Sequence, residues 1–296
     1  MEKMIKGGIS DLHKKMLIDV FRDFVRICEK YDLQYFCCGG TAIGVIRHQG
    51  MIPWDDDIDI LMPRPDYDKF LKIFNSLDIS DNYELITAES NNRYYLPFAK
   101  MCDKRTTILE YDDIPCVFGV FIDVFPLDGA PANLSQRNKQ LLGFRRAANK
   151  LLVLPKSITI NVRSGLTRIF NLQIRTAYNE FRYALNKKRN REKVLAEIDG
   201  YMLETDYSSS SYCGNYGGMW GIKEFGPKEW FDGYELGNFE GISVRLPRGY
   251  HELLTQMYGD YMQLPPLDKR VSHHHVAYLN LEKRVEIDKV LKLIRN

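Results

Sequence analysis

The chain lacks most of the features that mark a secreted or membrane-spanning protein. Met1 to Asp11 contains no apolar core of the signal-peptide kind, and no run reaches the ~18 consecutive apolar residues of a transmembrane helix. The longest apolar stretch, Pro115 to Leu127, is short and is broken by Asp123. Cysteine is sparse: Cys28, Cys37, Cys38, Cys102, Cys116 and Cys213 show no Cys-x-x-Cys spacing, which argues against a structural zinc and against a disulfide framework. Reduced, mostly buried thiols in a cytoplasmic protein are therefore expected. No low-complexity tract suggests disorder, and no nucleic-acid motif is present.

What is present is ordinary in bulk and uneven in distribution. With 296 residues, 45% hydrophobic and 27% charged, the chain suffices for one large domain or two modest ones. The net charge is +2, yet the stretch between Gly129 and Lys193 holds fifteen Lys or Arg against two acids. Within it Arg168, Arg175, Arg182 and Arg189 recur every seven residues, so a helix would align them on one face. Two readings stand: a solvated charged face, or a surface for phospholipid headgroups or a lipid-linked, phosphate-bearing acceptor at the inner face of a membrane.

The opposite charge concentrates at Asp55, Asp56, Asp57 and Asp59. Carboxylates this close repel and raise one another's pKa unless a cation or donor compensates. Alternation through Asp57-Ile58-Asp59-Ile60-Leu61 predicts a strand that points Asp57 and Asp59 to one side, where they can hold a hard divalent cation through oxygen. Upstream, Gly39-Gly40-Thr41 sits between a predicted strand, Leu33 to Cys38, and a predicted short helix, Ala42 to His48. Glycines there let backbone amides approach a phosphate. Asp123 lies in an apolar strand, where burial of a lone acid is costly without a metal or a proton-transfer role. An EF-hand starting at Asp55 is a poor fit, because its sixth and twelfth positions are Ile60 and Asp66.

The remaining pattern predicts a helix from Ser10 to Tyr31 and another from Asp66 to Leu77. Strands are predicted at Tyr83–Thr87, Tyr95–Met101, Thr107–Tyr111 and Val117–Phe125. Helical pattern follows from Ser135 to about Glu204. Then come a hairpin of Glu229–Leu236 and Phe239–Leu246 turning at Gly237-Asn238, a helix from Gly249 to Tyr258, and a last helix from Leu279 to Ile294. Lys100, on the strand before Thr106 and Thr107, is either a phosphate contact or a solvated surface lysine.

A glycine pair at a helix start followed by Asp-x-Asp on a strand is the local pattern of the nucleotidyltransferase fold. The longer string resembles the LicD family, which includes phosphocholine transferases and fukutin-type phosphotransferases. It runs Gly39-Gly40-Thr41, Arg47-His48-Gln49-Gly50, Ile52-Pro53-Trp54-Asp55-Asp56-Asp57-Ile58-Asp59 and Arg64-Pro65-Asp66-Tyr67. Phe121 to Gly129, Tyr258-Gly259-Asp260-Tyr261 and Leu264-Pro265-Pro266 continue it.

The resemblance implies an α+β fold: a nucleotidyltransferase-like mixed sheet flanked by helices (1–130), a basic helical insertion (131–205) and a C-terminal hairpin-plus-helix region (206–296). It implies Mg²⁺, with Mn²⁺ as the alternative, on Asp57, Asp59 and Asp123, the last as third ligand or as base. Gly39, Gly40, Thr41, Arg47, Trp54 and Lys100 would contact the donor. The donor would be a CDP-alcohol and the acceptor a glycan hydroxyl. Trp54, Tyr94, Tyr95, Tyr216 and Trp220 are candidates for a cage around a choline group, against core or rim roles for the same residues. One of His273, His274 and His275 would contact phosphate.

Overall fold

The computed structural model describes residues 9–74, 76, 81–156, 189–271 and 275–295. Helix α1 (Asp11–Lys30) starts as its sequence predicts: the Ser10 hydroxyl accepts the His13 amide, and Leu17, Val20, Phe21, Phe24 and Ile27 form one buried face. After it come β1 (Phe36–Cys37), α2 (Gly39–Ile43), a π-helical turn (Gly44–His48), β2 (Asp59–Pro63) and α3 (Arg64–Phe74). Next are β3 (Tyr83–Ile86), β4 (Ala99–Leu109), β5 (Val117–Ala130) and α4 (Leu134–Val153).

Beyond residue 188 the chain forms α5 (Arg191–Met202), β6 (Tyr212–Gly214), β7 (Phe225–Pro227), β8 (Tyr234–Phe239), β9 (Ile242–Pro247), α6 (Tyr250–Tyr258), β10 (Tyr278–Asn280) and α7 (Ile287–Arg295).

The result is the expected α+β architecture around a mixed sheet of order β1-β2-β5-β4-β10, with β3 also on β4, and β6 and β7 continuing from β5. β2 and β5 pair in parallel, and the other pairings are antiparallel. β5 is covered on both faces, as its long apolar run requires. Val120, Ile122 and Val124 join the cluster built on α1. Phe125 and Leu127, on the other side, pack with Phe231, Leu253 and Met257 of the C-terminal region. That second face carries Asp123.

Several elements differ from the sequence reading, each for a local reason. The two strands expected before and after residues 102–106 are one strand, β4, with a bulge between Asp103 and Ile108; Tyr95 lies ahead of it in a loop. The C-terminal hairpin turns at Glu240-Gly241, both at positive φ, not at Gly237-Asn238. Gly237 lies within β8 because Val45 occupies the space a β-carbon would fill. Lys228–Phe231 is a 3₁₀ turn, not the start of a strand. The segment read as the start of the last helix is β10, which completes the edge of β4, and the helix begins only at Ile287. All six cysteines are buried and free. No described helix is long and apolar enough to cross a membrane. Arg168, Arg175 and Arg182 of the arginine series, like His273 and His274, lie outside the described residues, while Arg189 is exposed.

One end of the β2–β5 pairing is held by charge. Arg64, directly after β2, forms a bidentate pair with Asp128 on β5 (Nε–Oδ1 2.6 Å, Nη2–Oδ2 2.8 Å), and Asp128 is 1% exposed. Removing one partner leaves the other buried and unpaired. Arg64→Met is therefore expected to lower the unfolding free energy by about 3–5 kcal/mol, whereas Arg64→Met with Asp128→Leu recovers most of that loss. Urea unfolding followed by circular dichroism checks both.

Candidate metal and phosphate site

Strand register builds the site. Asp59 on β2 stands opposite Asp123 on β5, and Asp123 stands opposite Lys100 on β4, so the three side chains form a row across the sheet. Asp57, just ahead of β2, joins them: one carboxylate oxygen each from Asp57, Asp59 and Asp123 lie within 4.8 Å of one another. Asp57 and Asp59 are half-buried and Asp123 is 5% exposed, so the row is open from the Asp57 side. Asp55, Asp56 and Asp57 form a second carboxylate group sharing Asp57.

The backbone around Asp59 is fixed from three directions. Its amide donates to the Thr41 hydroxyl at 2.8 Å, its carbonyl accepts from Cys38 at 3.2 Å, and the Asp123 amide donates to the Ile58 carbonyl at 2.9 Å. Thr41 thus ties the glycine turn to the acidic strand. The turn also shows why glycine is needed twice. Gly39 has φ +54°, with Asp59 Oδ2 3.3 Å from where its β-carbon would stand, and a β-carbon on Gly40 would meet Asp55 Oδ2 at 2.5 Å. The first turn of α2, which no side chain caps, is thereby set beside the carboxylates. The helix begins at Gly39, not at Ala42, and passes into a π-helical turn at Gly44.

Crowded acids in a partly dry site hold protons tightly. Burial, with Asp57 and Asp123 next, pushes the Asp59 carboxyl well above the usual range; burial and the neighbouring Asp57 push Asp55 up to about 8. Lys100 is neither a solvated lysine nor an open phosphate contact in this structure. It is 2% exposed, donates to Asp123 Oδ1 at 2.7 Å, lies 3.6 Å from Glu110 and sits 3.4 Å from the Phe121 ring centroid. Glu110 in turn accepts a hydrogen bond from the Tyr95 hydroxyl. The lysine therefore compensates the row from behind.

The other expected contacts are spread around this centre. Arg47 donates to the carbonyls of Tyr261 (2.7 Å) and Gln263 (3.3 Å), fastening the π-helical turn to the C-terminal segment. Trp54 packs against His48 and Arg270. Of the aromatic cage candidates, Tyr94, Tyr95 and Tyr216 are buried and Trp220 is exposed against Tyr258, so the five do not form one cage. His275 lies against Tyr111, past the end of β4 remote from Lys100.

Two groups at the site were not read from the sequence. The Tyr258 hydroxyl lies 3.5 Å from where a Gly39 β-carbon would stand. Tyr258 belongs to a segment that resembles the family, which was the available signal. Glu224 is buried beneath the Trp220 turn, accepts the Trp220 amide at 2.7 Å, and is pushed up to about 7 by burial, with the Asn215, Trp220 and Gly221 hydrogen bonds opposing. A lone acid in an aromatic, glycine-rich stretch carries no such signal.

The electrostatics fix a sign. A carboxyl whose folded pKa lies above the unfolded value, about 4, stabilises the fold only while protonated, so the metal-free protein loses stability as pH rises above that value. Asp59→Asn removes this penalty. In chelator, the variant is expected to melt above the wild type at pH 8, with a smaller gap at pH 5; thermal melts at the two pH values check it.

Comparison with known proteins places these residues in a family. The family model described as "LicD/FKTN/FKRP, nucleotidyltransferase domain" matches residues 32–133, which contain the glycine turn and the whole carboxylate row. The chain is 31% identical over 264 residues to the lipopolysaccharide cholinephosphotransferase LicD of Haemophilus influenzae, covering 87% of this chain and 92% of that protein. It is also 31% identical over 124 residues to the uncharacterized protein RT0683 of Rickettsia typhi, 40% of each chain, and 33% identical over 86 residues to the uncharacterized protein RP689 of Rickettsia prowazekii, 28% of this chain and 32% of that one. A match to the Haemophilus protein over nearly the full length of both chains, with a domain match that contains the acidic strand, means that this chain belongs to the LicD family.

Proposed function

We propose that this LicD-family phosphotransferase moves a phospho-alcohol group, phosphocholine first, from a CDP-alcohol to a sugar hydroxyl of a cell-surface glycan and releases CMP. The observation that carries the reading is the row of Asp57, Asp59 and Asp123 beside the uncapped start of α2. The choice of phosphocholine, and of a lipopolysaccharide as the glycan, is supported by the name of the Haemophilus relative. Ribitol phosphate, glycerol phosphate and phosphoethanolamine are the groups to compare.

The donor set suits Mg²⁺ or Mn²⁺, because three carboxylate oxygens within 4.8 Å of one another match a hard cation that prefers oxygen. When bound, such an ion neutralises charge on the phosphate oxygens that builds up as the bond to phosphorus changes hands. The chain supplies the rest. Gly39 and Gly40 let the turn close against the Asp59 and Asp55 carboxylates, which brings its backbone beside the metal site where the diphosphate would lie, and Thr41 keeps that turn in register with Asp59. Asp123, buried behind Asp57 and Asp59 and held by Lys100, suits a ligand more than a group that must reach an incoming hydroxyl. Asp55, pressed against Gly40, shapes the loop.

The test is incubation of purified protein with Mg²⁺ and a panel of CDP-alcohols. CMP is expected from one donor and lost with chelator. Asp57→Asn and Asp59→Asn are each expected to cut turnover by about 100- to 1000-fold or more while leaving the fold intact by circular dichroism. Pyrophosphate release from a nucleoside triphosphate, without CMP from any donor, would replace this reading with nucleotidyl transfer.

A further inference from the structure

Two acids compete for Lys100. Its ammonium donates to Asp123 Oδ1 at 2.7 Å and lies 3.6 Å from Glu110 Oε1, and all three residues are buried. Glu110 directly follows β4, ten positions after Lys100 on the same run of chain. An uninterrupted strand of that length would hold the two ~33 Å apart. The bulge shortens the path: from Asp103 to Ile108 β4 advances five positions while β5 moves only two, from Val120 to Phe118, so the end of β4 is drawn back toward its start.

Glu110 is itself oriented. Its Oε2 accepts from the Tyr95 hydroxyl while Oε1 faces the lysine, and the Tyr95 ring packs edge-on against Tyr111 with centroids 5.8 Å apart. The rings of Phe98, Phe118 and Phe121 lie around the ammonium, their centroids 5.9, 5.4 and 3.4 Å away. With so little solvent present, the charges act on one another more strongly than they would in water.

The charges do not balance if Lys100 serves Asp123 alone. One ammonium and one carboxylate already form a neutral pair, and a second buried acid adds a negative charge that burial penalises. Glu110 has a use once the row is counted with it. With a divalent ion on Asp57, Asp59 and Asp123, the Asp123 carboxylate would be shared with an ammonium 2.7 Å away, and the two positive charges repel. An acid on the other side of Lys100 offsets that repulsion.

We propose that Glu110, oriented by Tyr95, is a positioning residue for the metal site: it anchors the Lys100 ammonium from behind and offsets its charge, so that an aspartate already paired to a lysine still serves as a metal ligand. This role rests on the proposed divalent-metal site at the row. It gives Tyr95 and Glu110 an influence on the site through Lys100, without contact with the donor.

The test is calorimetric titration of the full chain with Mn²⁺ alone; no donor is present, so the outcome does not depend on which group is transferred. Glu110→Gln keeps the shape and removes the charge, and is expected to weaken Mn²⁺ binding about tenfold, as loss of a partner behind a metal ligand does. Tyr95→Phe, which leaves Glu110 charged but less well held, is expected to weaken it by a smaller factor. In a Lys100→Met background Glu110→Gln is expected to change the affinity far less, because no ammonium remains to be offset. Circular dichroism confirms folding, and melting in chelator separates a merely structural role, which lowers the melting temperature and leaves Mn²⁺ affinity as it was. Unchanged or tighter Mn²⁺ binding in Glu110→Gln, or in Tyr95→Phe should the Gln variant not fold, would overturn the proposal and leave the metal site standing. So would an equal loss with and without Lys100, since Glu110 would then act on the ion by its own charge. Asp59→Asn is the control: Mn²⁺ binding that it leaves unchanged, or no binding by the wild type, would remove the metal site and the proposal together.

Discussion

Parallel pairing between β2 and β5 is the constraint on which the site depends, because it sets Asp59 directly against Asp123. Two like charges opposite each other on neighbouring strands oppose that pairing. The structure offsets the repulsion locally and at a distance. Lys100, opposite Asp123 on the far strand, supplies a buried positive charge. At the other end of the same pairing, Arg64 and Asp128 form a buried pair of opposite sign, so the register is held where the charges attract and used where they repel. Apolar packing of Phe36, Leu61, Phe125 and Leu127 fills the space between.

The acidic strand and glycine turn were legible because each rests on a short-range rule. Asp-x-Asp on a strand must share a face, and a glycine pair at a helix start leaves room for something close. What could not be read depends on partners far along the chain. Arg64 and Asp128 both stood in family-like segments, yet their pairing across 64 positions is visible only in the fold. Lys100 looked equally like a surface or a phosphate lysine because its burial is decided by Asp123, Glu110 and Phe121. The hairpin turn was misplaced by three residues since Gly-Asn is a good local turn signal, and only Val45 shows why a glycine belongs inside β8. Glu224 had no pattern to announce it.

The C-terminal region contributes more than cover. The Glu240 amide donates to the Gln49 carbonyl, and its carboxylate accepts the Met51 amide and pairs with Lys14, which fixes the loop between the π-helical turn and the acidic residues. Arg47 reaches Tyr261 and Gln263 from the other side. The loop that carries Trp54 to Asp57 is therefore anchored by residues about two hundred positions away.

β10 gives this arrangement a temporal meaning. Tyr278 to Asn280 complete the edge of β4, the strand that presents Lys100 to Asp123. During synthesis a chain emerges from its N-terminus, and contacts this distant in sequence form late. Residues 107–109 of β4 are thus made early and wait, unpaired on that edge, until residues 278–280 have left the ribosome. A nascent or prematurely terminated product would carry every acid of the site on a sheet whose outer edge, at residues 107–109, is still open to pairing with another chain.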